Sequence, residues 1–207
     1  MKKINEIFYS LQGEGSFTGT PMVFIRFSGC NLDCKWCDTD SSKFTEMSDD
    51  DILAEVEKCY SESGAMQSAG PDVEKVQKYV CLTGGEPGLQ VDSALLNLLH
   101  MANYEIHMET NGTVGLPPDI DWVVLSPKSS AKPAVTDADE IKVVYDGQPD
   151  EELACWLNYV AEFYYIQPCW VGDEARRKRN VEAAVAFVEK HPQWRLSLQA
   201  HKYLGIR

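Results

Sequence analysis

Three cysteines, Cys30, Cys34 and Cys37, are spaced C-x3-C-x2-C in the run Cys30-Asn31-Leu32-Asp33-Cys34-Lys35-Trp36-Cys37. Thiolates are soft ligands, and a cluster this dense points to bound metal rather than to disulfides. The first residues, Met1-Lys2-Lys3-Ile4-Asn5-Glu6, agree, because they lack the apolar core of a secretion signal. The number of ligands matters more than their density. Structural zinc takes four protein ligands, and an ordinary iron–sulfur cluster takes four thiolates. Three thiolates on a four-iron cluster leave one iron open to a substrate or cofactor. On the cysteines alone, a zinc site completed by Cys59, Cys81 or a histidine stays open as the alternative.

Other polar groups stand where an apolar run ends. Leu11-Gln12-Gly13-Glu14-Gly15 puts two glycines around a carboxylate, a loop whose backbone can approach a ligand closely. Arg26 interrupts the apolar run Pro21–Phe27. It is either a snorkelling edge residue or a clamp for an anionic ligand. Further along come Thr83-Gly84-Gly85-Glu86-Pro87, Glu109-Thr110-Asn111-Gly112, Ser126-Pro127-Lys128, Gln167-Pro168-Cys169-Trp170 and Gln199-Ala200-His201-Lys202.

The elements that must position these groups follow a pattern. Val23, Ile25 and Phe27 alternate to one face of a strand, with Arg26 on the other. That strand runs directly into the cysteine loop. Ser48-Asp49-Asp50-Asp51 starts a helix, with a cap and acidic residues at the positive end of the macrodipole, and Ile52, Val56 and Cys59 form its buried face. The stretch from Ser61 to Pro71 is small and polar, a loop. Strands follow over Tyr79–Leu82, Tyr104–Met108, Trp122–Leu125, Glu140–Tyr145, Phe163–Ile166 and Trp194–Leu198. Helices are predicted over about Asp92–Ala102, Glu151–Ala161 and Asp173–Lys190. Each polar cluster follows the C-terminal end of a strand, as in parallel α/β barrels and open sheets. A closed eight-fold barrel usually takes ~250 residues, so the expectation is a partial, open TIM-like parallel barrel of about six strands.

At 207 residues the chain is expected to form one domain spanning 1–207. The net charge of −13 argues against nucleic-acid binding, and the run Arg176-Arg177-Lys178-Arg179 is either a basic patch or a solvated helix face. No apolar run approaches the ~18 residues that span a bilayer. Seven cysteines, an odd number with three clustered, fit a reducing cytoplasm. The expected partner is a small molecule.

The cysteine motif together with Thr83-Gly84-Gly85-Glu86-Pro87 resembles the radical S-adenosylmethionine superfamily. Leu11–Gly15, Cys37-Asp38-Thr39, Glu109–Gly112, Ser126–Lys128 and the tail Trp194–Leu204 narrow the resemblance to the 7-carboxy-7-deazaguanine synthase family, from about residue 5 to the last. The resemblance implies that Cys30, Cys34 and Cys37 ligate a 4Fe-4S cluster whose open iron binds S-adenosyl-L-methionine. It places Trp36, Cys37, Asp38, Gly85, Glu109, Ser126, Pro127, Lys128, Gln167, Pro168, Cys169 and Trp170 along the cofactor. It places Leu11, Gln12, Gly13, Glu14, Arg26, Thr83, His201 and Arg207 around a pterin substrate, with Thr39 on a magnesium ion (Mg2+).

The implied reaction converts 6-carboxy-5,6,7,8-tetrahydropterin to 7-carboxy-7-deazaguanine with loss of ammonia, and either Glu14 or His201 handles a proton. A flavodoxin or ferredoxin as electron donor and a homodimer also follow from the resemblance. Two positions depart from the family pattern: alanine at 200 and arginine at the terminal 207. Two other readings compete. A glycyl-radical-enzyme activase shares the cysteine spacing, but does not account for Ser126-Pro127-Lys128 or the tail. A zinc-binding interaction module would have no catalysis.

Overall fold

The N-terminal strand β1, Lys2–Leu11, is longer than the apolar run Ile7–Tyr9 that marks it in the sequence. Its charged residues hide it, because Lys2 is buried between Asp49 (2.5 Å) and Asp92 (3.1 Å), and Glu6 pairs with Arg26. The computed structural model describes residues 1–40, 42–65, 76–129 and 131–207. β1 pairs antiparallel with β2, Pro21–Phe27, and on its other edge with the short β3, Thr45–Met47. Neither antiparallel partnership was expected from the sequence. β3 is three residues of mixed character, too short to carry a pattern.

From β2 onward the sheet is parallel. α1, Asp49–Glu62, begins at Ser48, whose side chain caps Asp51 in a reciprocal capping box, and it buries Ile52, Val56 and Tyr60. Cys59 is half-buried on that helix, its Sγ facing the Ile7 carbonyl. The loop expected over Ser61–Pro71 starts inside α1, and beyond residue 65 it lies outside the described residues. Next come β4 (Lys78–Gly84), α2 (Ser93–Met101, capped by Asp92), β5 (Tyr104–Thr110), β6 (Trp122–Leu125) and β7 (Glu140–Tyr145). The helix predicted from Glu151 is shorter: α3 spans Asp150–Ala154, and a tighter 3-10 turn over Cys155–Asn158 buries Trp156. β8 (Phe163–Pro168), α4 (Glu174–Lys190), β9 (Arg195–Leu196) and α5 (Ala200–Leu204) complete the chain.

Among the described residues the sheet order is β3-β1-β2-β4-β5-β6-β7-β8-β9, nine strands against about six expected. The six strands β2 and β4 to β8 are the parallel body of the expected open barrel, and β9 adds two residues to its far edge. Alternation sorts the two faces. Val23, Ile25, Phe27, Val80, Leu82, Ile106 and Met108 point outward, into a core shared with α1 and α2. Ile141, Val143 and Ile166 do the same toward α3 and α4. The inner face is closed low down by the loop after β1, where Phe17 packs edge-on against His107 and Trp122. Arg176–Arg179 lie on α4, where Arg177 bonds the Val171 and Gly172 carbonyls and Lys178 reaches Glu182 at 3.9 Å.

Candidate active site

The strand ends of the concave face open into a cavity of about 770 Å³, within the range of small-molecule sites. Cys30, Cys34 and Cys37 all line it, on the loop that follows β2. That loop is tied down before the first cysteine, since Gly85 N–H donates to the Phe27 carbonyl and Glu86 N–H to the Gly29 carbonyl. A Cβ on Gly85 would lie 2.0 Å from the Gly29 oxygen, so Thr83–Pro87 and the cysteine loop touch backbone to backbone. Glu86 is fully buried and accepts from Thr110 Oγ1 (2.6 Å), Asn111 N (2.7 Å) and Gly88 N (2.9 Å). It joins the loops after β4 and β5, a structural task for the one carboxylate of the glycine-rich motif.

Among the described residues, neither Cys59 nor Cys81 joins the three cysteines. Cys81 is buried on β4 beside Gln12 and Cys59 is packed on α1. Among the described residues, no three His, Cys, Asp or Glu side chains are arranged to hold a single metal ion. Neither Cys59 nor Cys81 lies on the cavity wall, and three thiolates on one exposed loop suit a cluster with an open position. Asn111 Nδ2 approaches Cys30 Sγ at 3.8 Å, and Lys128 lies over the Trp36 ring at 5.2 Å. Burial lowers the Lys128 ammonium to a pKa of about 8, and its Nζ donates to Ser126 O and Oγ.

The other wall is built from the β1–β2 loop, β5, β7 and the tail. Gly13 packs against the His201 ring, where a Cβ would meet Nδ1 at 2.1 Å. Gly15 (φ 63°) leaves room for Glu140, whose Oε1 would sit 2.0 Å from such a Cβ. The two glycines thus let the loop press close to the protein's own side chains, and Glu14 between them turns into the cavity. Glu14 meets Lys142 Nζ at 2.5 Å and Gln199 Nε2 at 2.9 Å. Burial pushes its carboxyl up, but Lys142 and the surrounding hydrogen bonds outweigh that and hold it at about 2. Burial lowers the His201 pKa, only partly offset by Glu14.

Of the cluster, cofactor, substrate and magnesium residues that the resemblance implies, all but the buried Pro127 line this one cavity. Arg26 lies on the inner face as alternation requires, but its Nε is paired with Glu6 at 2.9 Å. Arg207 also meets Glu6, and its carbonyl accepts from Ser10 Oγ at 2.6 Å. Both departures from the family pattern are bridged by backbone, since the Ala200 N–H donates to the Gly13 carbonyl. Asp38 pairs with Lys202 of α5 at 2.6 Å, which ties the tail to the cysteine loop. Three charged residues on the cavity wall escaped sequence reasoning: Glu6, Asp40 and Lys142. Lys142 carried a usable signal, because it interrupts an apolar strand on the face opposite Ile141 and Val143, as Arg26 does on β2.

A mostly parallel open sheet with a three-cysteine loop after its first parallel strand defines a radical S-adenosylmethionine enzyme. Residues 24–123 match the Radical SAM superfamily model, and with that class come a 4Fe-4S cluster and S-adenosylmethionine. The chain belongs to the 7-carboxy-7-deazaguanine synthase family. It is 49% identical over 207 residues to the 7-carboxy-7-deazaguanine synthase of Bacteroides thetaiotaomicron, covering 100% of both chains. It is 38% identical over 214 residues to that of Burkholderia multivorans, covering 98% of each. The crystal structure of QueE from Escherichia coli superposes with a TM-score of 0.68 at 26% identity, covering 97% of this chain and 94% of that one. Among the described residues no helix is long and apolar enough to cross a membrane.

Proposed function

We propose that this chain converts 6-carboxy-5,6,7,8-tetrahydropterin to 7-carboxy-7-deazaguanine with loss of ammonia, a step toward queuosine and related 7-deazapurines. The observation that carries the reading is the single cavity in which the cysteine loop faces Glu14, Arg26 and His201. In this reading Cys30, Cys34 and Cys37 hold the cluster. Trp36, Asp38, Gly85, Glu109, Ser126, Lys128 and the Gln167–Trp170 turn hold the cofactor. When bound, cluster and cofactor supply one-electron cleavage of the sulfonium and a carbon radical that abstracts hydrogen. The protein's part is to present one substrate C–H to that radical and to exclude others.

Leu11, Gln12, Gly13, Glu14, Thr83, Arg26, His201 and Arg207 surround the pterin. Arg26 offers its guanidinium to the substrate carboxylate by leaving Glu6. Of the two proton-handling candidates, His201 suits the loss of ammonia better. Glu14 is locked in an ion pair that keeps it ionised, whereas His201 is neutral at pH 7 with a free ring to take or give a proton. Thr39, beside Asp38 and Asp40 on the cavity wall, would offer its hydroxyl oxygen to a magnesium ion, which would neutralise substrate charge there. Thr39→Ala should raise the magnesium concentration needed for turnover and leave iron content unchanged. An unaltered magnesium dependence would remove Thr39 from that role.

The reading extends to one domain of 207 residues in a reducing cytoplasm, a homodimer, and a flavodoxin or ferredoxin donor reaching the exposed Cys30 and Cys37. Support for the compartment comes from the seven free cysteines. The test is anaerobic reconstitution followed by reductant, S-adenosylmethionine and the carboxytetrahydropterin. Product and ammonia should appear together. Iron and sulfide without pterin turnover would overturn the substrate, and zinc in place of iron the class.

A further inference from the structure

Lys142 sits mid-way along β7 with its side chain 3% exposed. Its ammonium contacts Glu14 at 2.5 Å and Glu109 at 3.3 Å, and both carboxylates line the cavity. Glu14 accepts from Gln199 Nε2 (2.9 Å) through its other oxygen, and Glu109 accepts from Gln12 Nε2 (3.1 Å) through the same oxygen that Lys142 meets. The proposed assignment puts Glu14 on the substrate side and Glu109 on the cofactor side. One buried cation therefore touches both half-sites. Burial opposes its charge, but Glu109, Glu14 and Glu140 outweigh that and hold it well above the ordinary lysine range. It stays an ammonium throughout, so it cannot serve as an acid or base and acts by charge and position alone.

We propose that Lys142 is a positioning residue that couples the two half-sites, keeping Glu14 an ionised acceptor for the substrate while fixing Glu109 toward the cofactor. The inference rests on the assignment of Glu14 to the substrate. A pterin presents N–H donors, which a carboxylate accepts and a carboxylic acid meets only in part. Without the ammonium, two carboxylates remain in an enclosed site where burial and mutual repulsion both favour protonation. At least one of them then takes up a proton near neutral pH. The other titratable or charged groups facing the pair are Glu140 on β7, Cys81 on β4, His107 on β5, Lys128 after β6, Arg26 on β2 and His201 on α5. Burial lowers the His201 pKa and brings Lys128 to about 8, and both groups are present in the wild type and the variants alike.

Binding of pterin-6-carboxylate, followed by its fluorescence, tests this between pH 5 and 7.5. The protein is cluster-reconstituted, with S-adenosylhomocysteine present and no reductant, so no turnover enters. Wild type and Lys142→Arg should share one shallow profile. In Lys142→Met the affinity should fall as pH drops, by up to about tenfold per pH unit below the raised Glu14 pKa. Lys142→Met/Glu109→Gln, which removes one of the two repelling charges and is the fallback if the single variant folds poorly, should show a tilt of the same sign but weaker, because burial alone then raises Glu14. A Lys142→Met or double-variant profile that superimposes on wild type overturns the proposal, as does a Lys142→Arg profile as steep as that expected of Lys142→Met. Glu14→Gln separates the two levels. If it binds as tightly as wild type, the assignment of Glu14 to the substrate fails. If it binds weakly while Lys142→Met behaves as wild type, only the coupling role of Lys142 fails.

Discussion

Two cations reach into the same cavity from two strands, and they are held in opposite ways. Arg26 on β2 is 27% exposed, pairs through Nε with Glu6, and lies 5.8 Å from the Phe8 ring. Glu6 divides its charge between Arg26 and Arg207. Lys142 on β7 is 3% exposed and has two carboxylates to itself. A partly solvated guanidinium can exchange one carboxylate for another, because water stabilises whatever is left unpaired. A buried ammonium cannot, because losing either partner leaves uncompensated charge in an enclosed site. The Arg26 end of the cavity is thus adaptable and the Lys142 end is preorganised. A site that must admit an anionic substrate and then hold it still before a radical needs one of each.

The largest expected effect is on stability at the preorganised end. Lys142→Met should cost about 3–5 kcal/mol, the range for breaking a buried ion pair from one side. Arg26→Met should cost no more than about 1 kcal/mol, as for an exposed pair. Chemical denaturation of both variants measures the gap, and equal losses would erase the distinction. Next in size is substrate binding at the adaptable end. Arg26→Lys keeps the charge without the fork, so pterin affinity should weaken by about 1–3 kcal/mol. Iron content and melting temperature should stay put. A loss of melting temperature with unchanged affinity would make Arg26 a strand-holding residue instead.

A smaller effect appears in acid. The Glu14 carboxyl is held at about 2, below its ordinary 4.5. A depressed carboxyl contributes stability that is fully present above its unfolded pKa and lost as pH falls through the folded value. Wild type should therefore lose stability between about pH 4.5 and 2 more steeply than Glu14→Gln, and parallel acid-unfolding curves would contradict the Lys142–Glu14 pairing. Smallest of all should be Glu6→Gln. Removing the carboxylate that competes for Arg26 should tighten pterin-6-carboxylate binding by less than ~1 kcal/mol. Weakened binding would show that Glu6 aims the guanidinium rather than occupying it.

Much of this protein could be read from short stretches. The C-x3-C-x2-C spacing, the Ser48 and Asp92 caps and the alternation around Arg26 depend on chemistry within a few residues, so they survive in any context. The order of polar clusters at strand ends likewise announced one site on one face. What escaped were features set by partners far away in the chain. Lys142 meets Glu14 across 128 positions, and Ser10 meets the Arg207 carbonyl across 197. β1 reads as polar because Lys2 finds Asp49 and Asp92, and Glu6 finds Arg26 and Arg207.

Residue types and their spacing settle which residues carry soft ligands, which strands face a core on one side, and where each loop lies along the chain. Which charges neutralise one another, and which cation can change partners, depends on the folded arrangement. The difference is one of range. Capping, alternation and ligand spacing act through the backbone over one or two turns. Ion pairing acts through space, and depends on which strand ends the sheet order sets side by side.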